Sequence, residues 1–308
     1  VDVRDGALEA IGDTPVVRLR HLVTDGMAEV VVKLEAANPT GSYKDRMALA
    51  MIEGAERSGR LRPGQTVVEY TGGSTGSSLA FVCAIKGYPL RIVSSDAFAE
   101  EKARTMRAFG ADVELLPSPE GITKDLIPRM MVRAREIVEE TGAYPTDQFN
   151  NIDMTDGYLA LGRELASQVD HRLDAFCTYV GTAGCFIGAS LGLRETIPGV
   201  ARVGIEPEES AVMSGRPPGT HRIEGGGVGF WPPQLRPEMV DDVQTVSTDD
   251  AIAMARRAAR IEGIWGGPST GANLVVAIRL AERLGPGHRV ATLQVDSGLK
   301  YLGGAVYR

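Results

Sequence analysis

Short runs rich in valine and isoleucine alternate with longer amphipathic segments along most of this chain. That alternation restricts it to an α/β architecture with mainly parallel sheets, because parallel strands need long crossovers between them. The candidate strands are 30–34, 66–70, 90–94, 112–115, 175–180, 202–206 and 290–294. Helical patterns fill the gaps. Residues 100–109 have an acidic start and a basic body, and 248–262 open on the capping signal Thr248-Asp249-Asp250. With 308 residues the chain can bury a sizeable core and divide into two lobes. The pattern breaks at 143–153 into polar, turn-rich sequence, read as the crossing between lobes, where a cleft is expected. The stretch 210–237, rich in glycine and proline without a period, reads as a long functional loop forming one wall of the site.

A formal net charge of -7 argues against nucleic acid or an anionic membrane as the main partner, so a small ligand is expected. The longest apolar stretches, such as 79–85, are too short to cross a bilayer, and no basic region followed by an apolar core opens the sequence. A cytoplasmic location is expected. The cysteines, Cys83, Cys177 and Cys185, form no CxxC pattern, and the histidines lack ligand spacing; no disulfide framework and no metal are expected. Cys83 and Cys177 lie in apolar segments and read as buried small hydrophobes, whereas Cys185 closes a glycine loop.

One segment carries a reactive amine. Asn38-Pro39-Thr40-Gly41-Ser42-Tyr43-Lys44-Asp45-Arg46 places a lysine after a Gly/Ser turn and just before the apolar run 47–52. A helix start and burial both lower the pKa of a nearby ammonium, and a neutral amine can form a Schiff base with an aldehyde cofactor. Alone, the motif is equally compatible with a solvated lysine following a turn and N-cap. Three further loops add to it. Strand 66–70 runs into Thr71-Gly72-Gly73-Ser74-Thr75-Gly76 and then a small-residue helical stretch, a layout that offers N–H and hydroxyl donors to a carboxylate. Strand 175–180 runs into Gly181-Thr182-Ala183-Gly184-Cys185 and another helix start, a layout that cradles a phosphate. Gly266-Gly267-Pro268-Ser269-Thr270-Gly271 also precedes a helical pattern and, by itself, reads as a cap.

Together these segments resemble the fold type II pyridoxal-phosphate enzymes, most closely the cysteine synthase (O-acetylserine sulfhydrylase) and cystathionine β-synthase family. The resemblance runs from Ile11-Gly12-Asp13-Thr14-Pro15 through the segments above and Asp147-Gln148-Phe149-Asn150-Asn151. It continues through the His221–Phe230 stretch to Asp296-Ser297-Gly298. It implies a tryptophan synthase β-like fold, two open twisted mainly parallel sheets flanked by helices, with the active site in the cleft between lobes. It implies a smaller mobile substrate-closing domain at 39–150 and a larger cofactor-binding domain made of 1–38 and 151–308. Pyridoxal 5'-phosphate is the implied cofactor, with Lys44 forming the internal aldimine and moving the substrate α-proton. Gly181, Thr182, Ala183, Gly184 and Cys185 match the phosphate loop, and Ser269 matches the residue facing the pyridine nitrogen. Thr71, Gly72, Ser74, Thr75 and Gln148 match the substrate-carboxylate residues, and Ser74 also matches a contact to the cofactor's phenolic oxygen.

The implied reaction is β-replacement on O-acetyl-L-serine by sulfide, through an aminoacrylate, giving L-cysteine. A β-lyase, a serine/threonine dehydratase, or replacement with another donor or nucleophile, as in cystathionine β-synthase, is the alternative. A homodimer and a serine acetyltransferase partner are also implied. The sequence departs from the family pattern at Ser74, where asparagine is usual, and at Ala183 and Cys185, where the loop usually reads GTGGT.

Overall fold

The computed structural model describes residues 3–98, 100–121, 123 and 125–308. In chain order its first elements are β1 (Val16–Arg18), β2 (Glu29–Leu34), α1 (Lys44–Arg57), β3 (Val67–Tyr70), α2 (Ser74–Lys86), β4 (Leu90–Ser95), α3 (Glu100–Ala108), β5 (Asp112–Leu116) and α4 (Leu126–Thr141). There follow β6 (Tyr144–Pro145), α5 (Met154–Gln168), β7 (Ala175–Tyr179), α6 (Gly184–Arg194), β8 (Ala201–Pro207), β9 (Asp242–Val246), α7 (Thr248–Ile261), α8 (Pro268–Leu284) and β10 (Arg289–Gln294). Two compact units result. The smaller holds the N-terminal residues to Ile11 with Lys44–Met154, and the larger holds Gly12–Tyr43 with Thr155–Arg308.

The smaller unit is built on a four-stranded parallel sheet in the order β5-β4-β3-β6. All four residues of β3 are buried, as expected of a central parallel strand covered on both faces. Helix α2 is buried continuously from Thr75 to Cys83, so its small residues Ser77, Ser78 and Ala80 serve close packing. It packs against α1 and α3.

The larger unit carries a six-stranded sheet in the order β1-β2-β10-β7-β8-β9, parallel except for the edge pair β1 and β2. Its core joins Val30 and Val32 of β2, Val203 and Ile205 of β8, and Leu274 and Val276 of α8. Helix α7 buries Ala251, Ala255 and Ala258, spaced as one helical face, and Ala251 and Ala258 join this core. Its N-cap is Ser247, whose hydroxyl accepts from Asp250 N at 3.1 Å, one residue before the capping signal expected at Thr248. Helices α5 and α6 meet through glycines. A Cβ on Gly192 would collide with the Leu159 carbonyl oxygen, and one on Gly162 with that of Ala189. This contact fixes α6, and with it the loop that precedes it. Strands β1 and β6 escaped the sequence reading because they hold three and two residues, and β9 because Asp-Val-Gln-Thr-Val buries only Val246. Residues 211–236 form neither helix nor strand, as their composition indicated.

Candidate functional site

Lys44 is the first residue of α1 and only 7% exposed, which removes the solvated-lysine alternative. Its Nζ stands 3.9 Å from Met47 Sδ, a soft neighbour one helical turn on. The chain reaches Lys44 along a segment anchored in the larger unit. Gly41, in the left-handed region at φ 72°, closes a turn by donating to the Asn38 carbonyl at 2.8 Å. Tyr43 N then donates to Val295 O at 3.1 Å, and Ser297 N to Gly41 O at 2.9 Å. Upstream, the Asn38 amide donates to the Glu35 carboxylate, which also accepts from the Thr14 hydroxyl at 2.6 Å. Lys33, fully buried, donates to Thr14 O at 2.9 Å and pairs with Glu164. A buried polar chain therefore sets the backbone on which Lys44 is delivered. Burial, followed by nearby Cys185 and Asp296, holds the Tyr43 phenol well above its ordinary pKa, so the residue before the lysine stays neutral.

The loop after β3 ends on the N-terminus of α2, which no side chain caps. Its first-turn N–H groups and dipole make that end suited to an anion. Gly72 is glycine because the Phe98 ring occupies the space a Cβ would need. The hydroxyls expected to face a carboxylate are not equivalent. Thr71 Oγ1 accepts from Gly73 N at 3.1 Å, and Thr75 Oγ1 donates to Gln148 Oε1 at 2.9 Å. The structure thus brings Thr75 and Gln148 together, and places Ser74 half-buried at the first helical position.

In the larger unit, the loop after β7 ends on the N-terminus of α6, likewise without a side-chain cap. Ala183 sits in the left-handed region at φ 69°, which explains why a glycine is the easier residue there. A Cβ on Gly181 would strike the Gly225 carbonyl oxygen, and Gly227 N donates to Val180 O at 3.2 Å, so the 225–227 glycine run backs this loop. Thr182, Ala183, Gly184 and Cys185 are all buried. Cys83 and Cys177 are buried too, and burial pushes both thiols up to about 12.

The third loop meets α8 at Pro268, again with no side-chain cap. Asp296 holds it, accepting from Gly267 N at 3.2 Å and from the Tyr301 hydroxyl at 2.7 Å. Thr270 Oγ1 accepts from Val295 N at 3.1 Å, and Asn273 joins Tyr179 N to Leu293 O. Ser269, 2% exposed, is the hydroxyl this framework positions without using it for those tethers.

Two residues of the smaller unit were not singled out from the sequence. Glu69, buried in β3, accepts from Tyr70 N, Thr146 Oγ1 and Gln148 N. The available signal was one acidic residue inside the apolar run Val-Val-Glu-Tyr. Thr146 carried no signal. Among the described residues no group of His, Cys, Asp and Glu is arranged to hold a metal ion, and no helix is long and apolar enough to cross a membrane.

In the smaller unit a buried amine stands at a helix start, and in the larger unit a glycine-backed loop and a buried hydroxyl stand at two others; each suits one part of a phosphorylated aldehyde cofactor. A family model described as pyridoxal-phosphate dependent enzyme matches residues 7–296. A curated cysteine synthase of Staphylococcus aureus is 43% identical over 305 residues, covering 98% of this chain and 97% of that protein. Among solved structures, O-acetyl serine sulfhydrylase isoform 3 from Entamoeba histolytica superposes with a TM-score of 0.93 at 33% identity, covering 99% of this chain and 92% of that one. The O-acetylserine dependent cystathionine β-synthase from Helicobacter pylori gives 0.91 at 32% identity, with 100% of both chains covered.

Proposed function

We propose, from the premise that this chain belongs to the family of pyridoxal-phosphate dependent enzymes, that it replaces the β-substituent of O-acetyl-L-serine with sulfide to give L-cysteine. The observation that carries this reading is the buried Lys44 amine at the start of α1, in a chain that matches a cysteine synthase along nearly its whole length. Lys44 Nζ would hold the cofactor's aldehyde carbon. The 181–185 loop would hold its phosphate, Ser269 would face its ring nitrogen, and Ser74 would face its phenolic oxygen. When bound, the cofactor supplies an electron sink for the charge left at the substrate α-carbon.

The protein's own groups do the rest. Thr71, Gly72, Ser74 and Thr75, with Gln148, bind the substrate carboxylate at the uncapped α2 terminus. That anchoring orients the Cα–H bond, and Lys44 Nζ, freed as an amine once the substrate's amino group has taken its place, accepts the proton from Cα as the β-acetoxy group departs. A serine at 269 leaves a ring nitrogen largely unprotonated, which favours elimination over a long-lived carbanion.

A second reading keeps the same donor and changes the nucleophile to a larger thiol such as L-homocysteine. It is favoured by Ser74, shorter than the asparagine usual in the family, and by the likeness to the Helicobacter pylori enzyme. A cytoplasmic homodimer, with or without a serine acetyltransferase partner, belongs to the same reading.

The deciding experiment incubates the cofactor-loaded protein with O-acetyl-L-serine and either sulfide or L-homocysteine, and quantifies cysteine and cystathionine. Cysteine as the dominant product supports the first reading, and cystathionine the second. Pyruvate alone from either mixture defeats both. Lys44→Ala should abolish turnover and the visible absorbance of the lysine-bound cofactor; substantial cysteine formation by that variant would sink the assignment.

A further inference from the structure

We propose that Glu69 is a positioning residue for amino-acid binding: its buried carboxylate holds the turn at Thr146–Gln148, and through that turn the orientation of the Gln148 amide. The inference rests on the reading of Gln148 and the 71–76 loop as the carboxylate-binding part of the site. Glu69 is 1% exposed, two residues before Thr71 on β3. One carboxylate oxygen accepts from Tyr70 N at 2.9 Å. The other accepts from the Thr146 hydroxyl at 2.6 Å and from Gln148 N at 3.1 Å. These last two donors flank Asp147, which lies in the left-handed region at φ 47°.

The turn is therefore wrapped around the carboxylate. It leaves Gln148 with its side-chain oxygen accepting from Thr75 and its amide nitrogen donating to Tyr70 O at 3.3 Å. The groups whose charges act on Glu69 or respond to it are Asp147, Tyr70 and Tyr144, and Arg135 acts on Tyr70. Among the described residues no cation pairs with Glu69. A buried carboxylate without a cation is an expensive way to hold a turn, and packing alone does not require it.

Glutamine at 69 has the same size but a single acceptor oxygen, so it cannot satisfy donors on both sides. Glu69→Gln therefore loosens the turn while removing the buried charge. A merely structural role predicts lower stability with unchanged binding; a positioning role predicts weaker binding by the folded protein, whatever the change in stability.

The test uses the cofactor-loaded protein. The Kd for non-reacting L-alanine is read from the change in visible absorbance, beside kcat and KM for O-acetyl-L-serine and the melting temperature. Glu69→Gln should raise Kd and KM about tenfold with kcat within about threefold, measured well below its melting temperature. A Kd within about twofold of the parent overturns the proposal. If that variant does not fold, Thr146→Val, which removes one donor at nearly constant volume, should raise Kd about threefold, and an unchanged Kd overturns it. A parent protein that binds L-alanine but ignores O-acetyl-L-serine would defeat the functional reading and leave this test intact.

Discussion

The hydroxyl of Thr75 donates to the side-chain oxygen of Gln148 at 2.9 Å, across 73 residues of sequence. The bond ties the first turn of α2 to the turn that follows β6, and it fixes which end of the Gln148 amide is a donor. Thr75→Val deletes it without altering volume. Only the longer contact to Tyr70 O then orients the amide, and a flipped amide turns an acceptor toward the carboxylate. KM for O-acetyl-L-serine should rise about threefold to tenfold with a smaller change in kcat, and Thr75→Ser should restore it. Equal KM values for the valine variant and the parent would show that Gln148 is held by other means.

Burial raises the Glu69 carboxyl from 4.5 to about 7, against hydrogen bonds from Thr146, Tyr70 and Gln148 that lower it, with Asp147 adding to the rise. The folded state therefore favours the protonated form. This contribution to stability is complete below pH 4.5, declines as pH rises, and is lost above about 7. Relative to Glu69→Gln, which cannot ionise, the parent should lose on the order of 3 kcal/mol between those limits. Urea unfolding of both proteins at pH 5 and pH 8 reads the difference. Parallel stabilities at the two pH values would contradict the assignment of this titration to Glu69.

Gly192 has no room for a side chain. A Cβ there would collide with the Leu159 carbonyl oxygen and stand 2.9 Å from Arg163 N, both backbone atoms of α5. Backbone cannot rotate away as a side chain can, so Gly192→Ala should cost about 2 kcal/mol or more despite alanine's better helix propensity. Because α6 carries the 181–185 loop at its start, retention of pyridoxal phosphate should fall in parallel. Thermal melting with and without the cofactor measures both effects. A melting temperature equal to the parent's would mean that the two helices separate without penalty.

The strands and glycine loops were legible because their signals are local. A central parallel strand must be apolar on both faces, and β3, β7 and β8 are buried along nearly their whole lengths. The long-range polar chemistry was not legible. Nothing in Thr-Asp-Gln or in Val-Val-Glu-Tyr says that Glu69 accepts from Thr146 and Gln148, since 77 and 79 residues separate the partners. Nor does the pair Ser269-Thr270 reveal which hydroxyl is committed; only the contact of Thr270 with Val295 N separates them. Local pattern finds the elements, whereas hydrogen-bond satisfaction inside them is decided by tertiary neighbours.

Ala183 offers a test in the stabilising direction. It occupies the left-handed region at φ 69° as the N-cap of α6, where an alanine Cβ crowds the following carbonyl. Ala183→Gly relieves that crowding, and the greater freedom of glycine in the unfolded chain offsets part of the gain. A net increase of about 1 kcal/mol is expected, with the visible spectrum of the bound cofactor unchanged because the backbone conformation stays the same. Chemical unfolding of parent and variant gives the sign. A less stable Ala183→Gly would mean that the buried methyl group contributes more through packing than its backbone conformation costs.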